Sequence, residues 1–163
     1  MQLRYMLAKD WPTVSKIYAE GIATGIATFE TNVPSYEDWD AGHLKNCRWV
    51  ATEANHLIGW AALSPVSSRC VYGGVAEVSI YIASNARGKG IGKQLLQQLI
   101  LDSEDNGYWT LQSGIFPQNK ASVTLHITCG FRHLGTRERI AQTKEGIWVD
   151  NLLLERRSKI IGQ

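Results

Sequence analysis

The chain has 163 residues, of which 44% are hydrophobic and 20% are charged, with 15 Gly and only 4 Pro. This composition excludes a disordered, collagen-like or coiled-coil protein and predicts one folded α/β or α+β domain over residues 1–163. The 17 Lys and Arg residues exceed the 15 Asp and Glu residues by a net charge of only +2. So small a charge argues against nucleic acid or an acidic membrane as a partner.

The cysteines and the hydropathy pattern exclude two further classes of protein. Cys47, Cys70 and Cys129 are odd in number and lie far apart, without the spacing of zinc ligands, so we expect neither a disulfide framework nor a metal site. No stretch approaches the roughly 20 apolar residues that a membrane span needs. We therefore expect a soluble, cytoplasmic protein with reduced thiols.

The first half of the chain predicts a strand, two helices and a hairpin. Asp10 is placed to cap the first helix, with Pro12 in its first turn, and Ser35 with Asp38 resembles the capping box of the second helix. The Thr- and Gly-rich residues 24–34 predict a loop. The predicted bounds are 2–7 for the strand, 10–21 and 35–46 for the helices, and 48–53 with 57–63 for the hairpin.

A longer strand is predicted over residues 75–82. Alternation places Glu77, Ser79 and Tyr81 on one face and three apolar side chains on the other. After a glycine-rich turn, Ile91, Leu95 and Leu99 recur every four residues, which indicates an amphipathic helix. The chain then predicts a strand at 108–113, a helix at 119–129 that ends at Gly130, and two closing strands at 132–140 and 147–154.

The turn between strand and helix carries the clearest chemical signal. Gly88, Gly90 and Gly92 at the start of a helix leave backbone N–H groups unpaired and unshielded, as in phosphate sites. The cations that a pyrophosphate needs are supplied by Arg87, Lys89 and Lys93. A tight connection without any ligand is the plainer interpretation of the glycines alone.

Two well-known phosphate motifs fit this turn poorly. A P-loop requires Gly, four residues and then Gly-Lys-Ser/Thr, whereas Arg87 stands five residues before Gly92 and Gln94 follows Lys93. A dinucleotide fingerprint requires the spacing G-x-G-x-x-G on the first strand of its unit, with an acid at a later strand end. Neither condition is met here.

The segment Arg87-Gly88-Lys89-Gly90-Ile91-Gly92 after Ile-Tyr-Ile resembles the GCN5-related N-acetyltransferase (GNAT) superfamily. The segment Asn119-Lys120-Ala121-Ser122 with the later Gly130-Phe131 is similar to the next helix of that superfamily. The resemblance implies an α/β (α+β) fold, a mixed and mostly antiparallel sheet of about six to seven strands flanked by about four helices. It also implies acetyl-CoA as co-substrate and a homodimer.

Within the superfamily, the chain resembles the phosphinothricin and methionine sulfoximine acetyltransferases. The residues that carry this likeness are Thr28-Phe29-Glu30, Tyr72, the Glu77-Val78-Ser79-Ile80-Tyr81 strand, Leu125-His126 and the ending Lys144, Gly146, Trp148-Val149-Asp150. The chain departs from the subgroup at Ile147, where Arg is usual, and at Gly73-Gly74, where bulkier residues are usual.

The resemblance implies a role for each part of the site. Glu77 is the expected base for the attacking amine, with a structural salt bridge as its alternative role. The backbone of Ile80, Tyr81 and Ile82 is expected to pair with the pantetheine arm, beside Asn119 and Ser122 on the next helix. His126 is a candidate acid for the leaving thiol, although a lone helical His is more often structural.

Substrate selection is expected from Phe29 and Glu30 in the first loop and from Arg69 and Tyr72 before the catalytic strand. The predicted reaction is direct acetyl transfer to the α-amine of a small amino-acid analogue, without metal. Another amine, namely an antibiotic, a polyamine or a protein N-terminus, is an alternative acceptor. A non-enzymatic acyl-CoA-binding domain is the alternative from another class of function.

Overall fold

Seven strands and four α-helices make up the fold in the computed structural model, which describes residues 1–163. The strands are β1 (Gln2–Tyr5), β2 (Arg48–Glu53), β3 (His56–Pro65), β4 (Val75–Ile82), β5 (Thr110–Ile115), β6 (Arg132–Gln142) and β7 (Trp148–Arg157). The helices are α1 (Trp11–Ala23), α2 (Tyr36–Gly42), α3 (Ile91–Asp105) and α4 (Lys120–Thr128).

All seven strands form one sheet in the order β1-β2-β3-β4-β5-β7-β6. Every neighbouring pair is antiparallel except β4 and β5, which run parallel because α3 makes the crossover between them. The predicted mixed, mostly antiparallel sheet with four helices is thereby confirmed.

Helix α3 packs its apolar face on the middle of the sheet. Leu95 and Leu99 are fully buried in the main core, as the four-residue period predicts, and Leu96 beside them is buried as well. On β3, Trp60 is buried as well, and its ring stacks on that of Tyr81 with centroids 4.9 Å apart. The core therefore holds β3 and β4 rigidly between α1 and α3.

The start of α1 differs from the prediction in one respect. Asp10 occupies the N-cap position but makes no capping hydrogen bond with its side chain. Its carboxylate instead accepts hydrogen bonds from Arg4 at 2.7 and 2.8 Å and from the N–H of Leu7 at 2.8 Å. Asp10 thus ties β1 to the helix rather than satisfying the helix terminus.

Helix α2 is shorter than predicted. Ser35 accepts the hydrogen bond from the N–H of Asp38 at 3.1 Å, as a capping residue should. The helix ends at Gly42 rather than near Asn46, because His43 is extended and the N–H of Leu44 bonds to Leu63 on β3. Pairing with the sheet therefore competes successfully with the last helical turn.

Packing explains the glycine at position 74, where the chain departs from the subgroup pattern. A Cβ at this position would lie 2.1 Å from Cε3 of Trp109. The indole ring lies directly over the Gly74 backbone just before β4 begins, so the glycine at this position accommodates the tryptophan.

Candidate active site

A cleft of about 970 Å³ opens where β4 and β5 separate. The two strands pair at only three positions, which join Val75–Glu77 to Thr110–Gln112. Beyond these positions both strands continue along the cleft, which the start of α3 and one side of α4 also line. The separation of two parallel strands therefore creates the site.

The β4 backbone lines the cleft from Glu77 to Ile82. Ile80, Tyr81 and Ile82 lie beyond the last pairing with β5, so this edge of the strand has no neighbouring strand. An extended ligand can pair with such an edge. The side chain of Tyr81 is committed elsewhere, since its ring packs 4.8 Å from that of Tyr18 and burial raises the pKa of its phenol.

The glycine-rich turn presents open backbone to one end of the cleft. Gly88 and Gly90 have φ values of 76° and 79°, which L-residues with side chains rarely adopt. Helix α3 begins at Ile91, so the N–H groups of its first turn have no partner within the helix. Gly92 lets α3 approach α4, because a Cβ there would lie 3.2 Å from Leu125.

Of the three cations predicted at this turn, two line the cleft. Arg87 lines it and its Nε donates to the carbonyl of Ile82 at 3.2 Å, which holds the turn against the end of β4. Lys93 lines it from the first turn of α3. Lys89 is exposed and lies outside the lining. The helix N-terminus, Arg87 and Lys93 together form an environment suited to a pyrophosphate.

Glu77 lies at the vertex where the strands part. It is the last β4 residue that pairs with β5, opposite Gln112, and it lines the cleft. Nε2 of Gln112 donates to Oε2 of Glu77 at 3.2 Å. No lysine or arginine pairs with this carboxylate, so the predicted alternative of a structural salt bridge is not found. A neutral donor orients the carboxylate and leaves its charge uncompensated, which suits a proton acceptor.

Helix α4 forms the opposite wall and brings three predicted residues to the cleft. Asn119 accepts a hydrogen bond from the N–H of Ser122 at 3.2 Å and so caps the helix. His126 is 1% exposed, and its Nδ1 lies 2.8 Å from the carbonyl of Ser122. A carbonyl only accepts, so Nδ1 carries the proton in a neutral ring, and burial lowers the pKa of the imidazole.

Nε2 of His126 is consequently an unprotonated acceptor, buried and without a hydrogen-bond partner. In this tautomer Nε2 has no proton to give. The geometry therefore favours an acceptor at this wall, and the acid role of His126 stays a prediction that this tautomer does not favour.

The sequence pattern of the acetyltransferase (GNAT) family matches residues 9–131, which include β4, the glycine-rich turn and α4. The chain belongs to this family. The expectation of an acyltransferase enzyme of the N-acetyltransferase type is thereby confirmed.

Relatives of known name place this GNAT enzyme in the subgroup that the sequence resembles. It is 32% identical over 160 residues to phosphinothricin N-acetyltransferase of Alcaligenes faecalis, covering 94% of this chain and 81% of the relative. It is 34% identical over 147 residues to the L-methionine sulfoximine/L-methionine sulfone acetyltransferase of Pseudomonas aeruginosa, covering 86% and 85%.

A solved structure shows the same fold with a ligand. The phosphinothricin acetyltransferase of Sinorhizobium meliloti in complex with acetyl-CoA superimposes on this GNAT enzyme with a TM-score of 0.85 and 30% identity, covering 96% of this chain and 87% of the other. No helix of the present chain is both long and apolar enough to span a membrane.

The predicted substrate residues fall into two groups in this GNAT enzyme. Phe29 and Glu30 line the cleft, where the ring of Phe29 packs 4.4 Å from that of Phe116. Arg69 and Tyr72 lie outside the lining, and the guanidinium of Arg69 stacks 5.5 Å from the Tyr72 ring. The structure does not bring this second pair to the cleft, and its role in substrate binding stays a prediction.

Three of the cleft-lining residues that the sequence did not predict carry side chains of particular chemical interest. They are Phe116 after β5, Arg137 on β6 and Asn151 on β7. A signal existed for Asn151, because it stands between the apolar residues Val149 and Leu153 in the alternation of a closing strand. No signal marked Arg137, which stands among other charged residues on an exposed strand.

Proposed function

We propose that this GNAT enzyme transfers the acetyl group of acetyl-CoA to the α-amine of a small amino-acid analogue of the phosphinothricin, methionine sulfoximine or methionine sulfone type. The observation that carries the proposal is the position of Glu77, a carboxylate without a counter-cation at the vertex of the β4–β5 cleft. The names of the relatives support the acceptor class.

The chain's residues fit acetyl-CoA at the other end of the cleft. The free N–H groups of the α3 terminus, with Arg87 and Lys93, suit its pyrophosphate, and no side chain fills the space at Gly88 and Gly90. The unpaired edge of β4 suits the amide groups of its pantetheine arm. This order directs the thioester toward Glu77.

Glu77 would then accept the proton that the amine loses. An α-amine titrates near a pH of about 8, so at neutral pH most of it is ammonium and a proton acceptor is needed. The amine nitrogen forms a bond to the thioester carbon, the C–S bond breaks, and the leaving sulfur takes a proton from solvent to become the thiol. A backbone N–H on the unpaired edge of β4 beyond Glu77 would donate to the developing oxyanion.

The test is thiol release from acetyl-CoA with a panel of amines. We expect turnover with phosphinothricin, methionine sulfoximine or methionine sulfone, and little with spermidine, an aminoglycoside or an alanine-terminated peptide. Silence with all three amino-acid analogues would reject the proposed acceptor class. Turnover with only one of the other amines would assign the enzyme to that acceptor instead.

We also propose the homodimer that the family resemblance implies. Ile147 and Trp148 at the start of β7 are 62% and 56% exposed, which supports burial against a second copy. Sedimentation velocity at micromolar concentration should show a species of twice the 18.2 kDa chain mass. A single species at the chain mass would contradict the dimer.

A further inference from the structure

Strands β6 and β7 form a wall of the cleft that the proposed acetyl transfer does not use. Arg137 on β6 and Asn151 on β7 both line the cleft there. The two residues are direct cross-strand partners in the antiparallel pair. Side chains of directly opposite residues project from the same face of a sheet, so both functional groups are presented to the same space.

Asn151 is a buried amide without a partner. The residue is 7% exposed, its Oδ1 is buried and its side chain makes no hydrogen bond in the protein. The amide lies against the Gly114 backbone, where a Cβ would come within 2.8 Å of Oδ1. A buried amide without hydrogen bonds is destabilising relative to an apolar side chain of the same size. The unmatched atom is an acceptor, so it points to a ligand that carries a hydrogen-bond donor.

Arg137 is a cation without a counter-ion in the same place. Four other arginines, Arg4, Arg48, Arg132 and Arg156, are ion-paired with carboxylates, and of the arginines without an ion pair only Arg87 and Arg137 line the cleft. The guanidinium of Arg137 forms neither an ion pair nor a hydrogen bond with any other residue. A guanidinium binds two oxygens of an anionic group at once, which a point charge does not.

A bulge in β6 fixes the backbone next to Arg137. Between Arg137 and Ala141 three residues on β6 oppose only Asp150 on β7. Arg139, within the bulge, has a φ of 44°, and its N–H donates to Oδ1 of Asp150 at 2.8 Å. Bulges of this kind direct side chains and are common beside active sites.

We propose that Arg137 and Asn151 form the subsite that binds the acidic or oxo group of the acceptor. In this role the guanidinium takes a pair of oxygens of that group, and the buried Oδ1 of Asn151 accepts a hydrogen bond from an N–H of the same substrate. The inference rests on the proposed function, since it names the residues that select the acceptor. The carboxylate and the side-chain phosphinate or sulfone share this chemistry, and the choice of substrates below separates them.

The experiment compares Arg137→Gln and Asn151→Leu with Arg139→Gln as a matched control. Arg139 is two residues away on the same strand, also without an ion pair, and lies outside the cleft lining. The substrates are methionine sulfone, its α-carboxamide and methionine, so that one lacks the carboxylate and another lacks the sulfone oxygens. KM for each acceptor, KM for acetyl-CoA and direct binding by calorimetry are measured.

We expect Arg137→Gln to raise KM for methionine sulfone at least tenfold and to leave KM for acetyl-CoA unchanged. If Arg137 binds the carboxylate, the α-carboxamide should bind wild type and Arg137→Gln equally weakly. If Arg137 binds the sulfone oxygens, methionine should bind the two proteins equally weakly. Asn151→Leu should raise the same KM and also raise the midpoint of thermal unfolding, because it removes a buried amide without partners. A purely structural Asn151 would not give this opposite change in affinity and stability.

The outcomes separate the subsite from the proposed function. Suppose that wild type turns over the acceptor and that Arg137→Gln and Asn151→Leu change its KM no more than Arg139→Gln does. This result would overturn the subsite alone. Binding of methionine sulfone that Arg137→Gln abolishes, without turnover of any of the three proposed amino-acid analogues, would overturn the function and support the subsite. Neither binding nor turnover of methionine sulfone, its α-carboxamide, methionine, phosphinothricin or methionine sulfoximine by wild type would overturn both.

Discussion

The side-chain amide of Gln112 donates to the carboxylate of Glu77 at 3.2 Å, across the last position at which β4 and β5 pair. One oxygen of the carboxylate is thereby oriented by a neutral group, and the other has no hydrogen bond from the protein. The same pair of residues thus ends the parallel ladder and begins the cleft. The carboxylate of Glu77 therefore lies at the start of the cleft, because the strands separate directly beyond it.

Replacing Glu77 by Gln should remove the proton acceptor while keeping the shape of the side chain. We expect kcat to fall about 10²–10⁴-fold, the usual contribution of general base catalysis, with little change in KM for acetyl-CoA. The pH–rate profile of Glu77→Gln should differ from that of wild type. Steady-state kinetics between pH 5 and pH 9 measure both effects.

Gln112→Leu is the milder variant for the same question. It keeps the carboxylate and removes only the donor, so we expect a smaller loss of kcat than in Glu77→Gln. A pH–rate profile that is identical in wild type and Glu77→Gln would contradict the assignment of Glu77 as base.

The sequence predicts the central elements of this fold closely and the edges less well. The β4 strand is predicted at the bounds that the structure shows, and α3 is predicted with its buried face at Ile91, Leu95 and Leu99, because alternation and the four-residue period are strong there. Strands β6 and β7 extend beyond their predicted ends, to Gln142 and Arg157, since pairing in the sheet outweighs weak local preferences.

Some residues of the site can be predicted from local sequence patterns, and others depend on long-range strand pairing. Glu77 and the glycine-rich turn are contiguous in sequence with the strand that presents them, so a local pattern finds them. Arg137 and Asn151 reach the cleft only because β7 pairs with both β5 and β6. The register of β6 and β7 and the bulge in β6 determine which side chains of these two strands face the cleft. Local periodicity in the sequence predicts neither the register nor the bulge.

The buried histidines should make stability depend on pH. Burial lowers the folded-state pKa of His126 and of His43 below the ordinary value of 6.5. The unfolded chain therefore binds more protons than the folded chain once pH falls below that value, and the free energy of unfolding decreases. For each additional proton that the unfolded chain binds, the free energy of unfolding decreases by about 1.4 kcal/mol per pH unit.

Urea denaturation at pH 7.5 and pH 5.5 measures this loss. We expect His126→Gln to lose less stability between the two pH values than wild type, because one titrating group is gone. Asp10 and Asp40, whose pKa values are lowered by Arg4 and Lys45, lose their contribution only near and below 3.8 and do not interfere. An equal loss in wild type and variant would contradict a buried neutral His126.

Gly74 should not tolerate a side chain while Trp109 covers it. The Cβ of Gly74→Ala would lie 2.1 Å from the Trp109 ring, so the ring or the backbone must move. We expect a loss of about 1–3 kcal/mol in the free energy of unfolding, as for other overpacked sites. Gly42→Ala, where no atom lies within 4 Å, is the control and should cost far less. Additive effects of Gly74→Ala and Trp109→Leu would contradict a direct clash, since contacting sites should couple.

Gly90 should be required for binding the pyrophosphate, and a second glycine separates this role from backbone strain. Gly90 precedes α3 with a φ of 79°, and Gly107 follows the same helix with a φ of 84°. Neither has an atom within 4 Å of an added Cβ. An alanine in this region of φ costs about 1–2 kcal/mol, so both Gly90→Ala and Gly107→Ala should lower stability similarly.

The two variants should differ in their kinetics. At Gly90 a methyl group projects into open space beside the free N–H groups of α3, and relief of the strained φ turns those groups away. We expect KM for acetyl-CoA to rise several-fold in Gly90→Ala and to stay at the wild-type value in Gly107→Ala. Because the acetyl group reacts at the distant Glu77 end of the cleft, kcat at saturating acetyl-CoA should change little. An equal KM in the two variants would show that the turn does not hold the pyrophosphate.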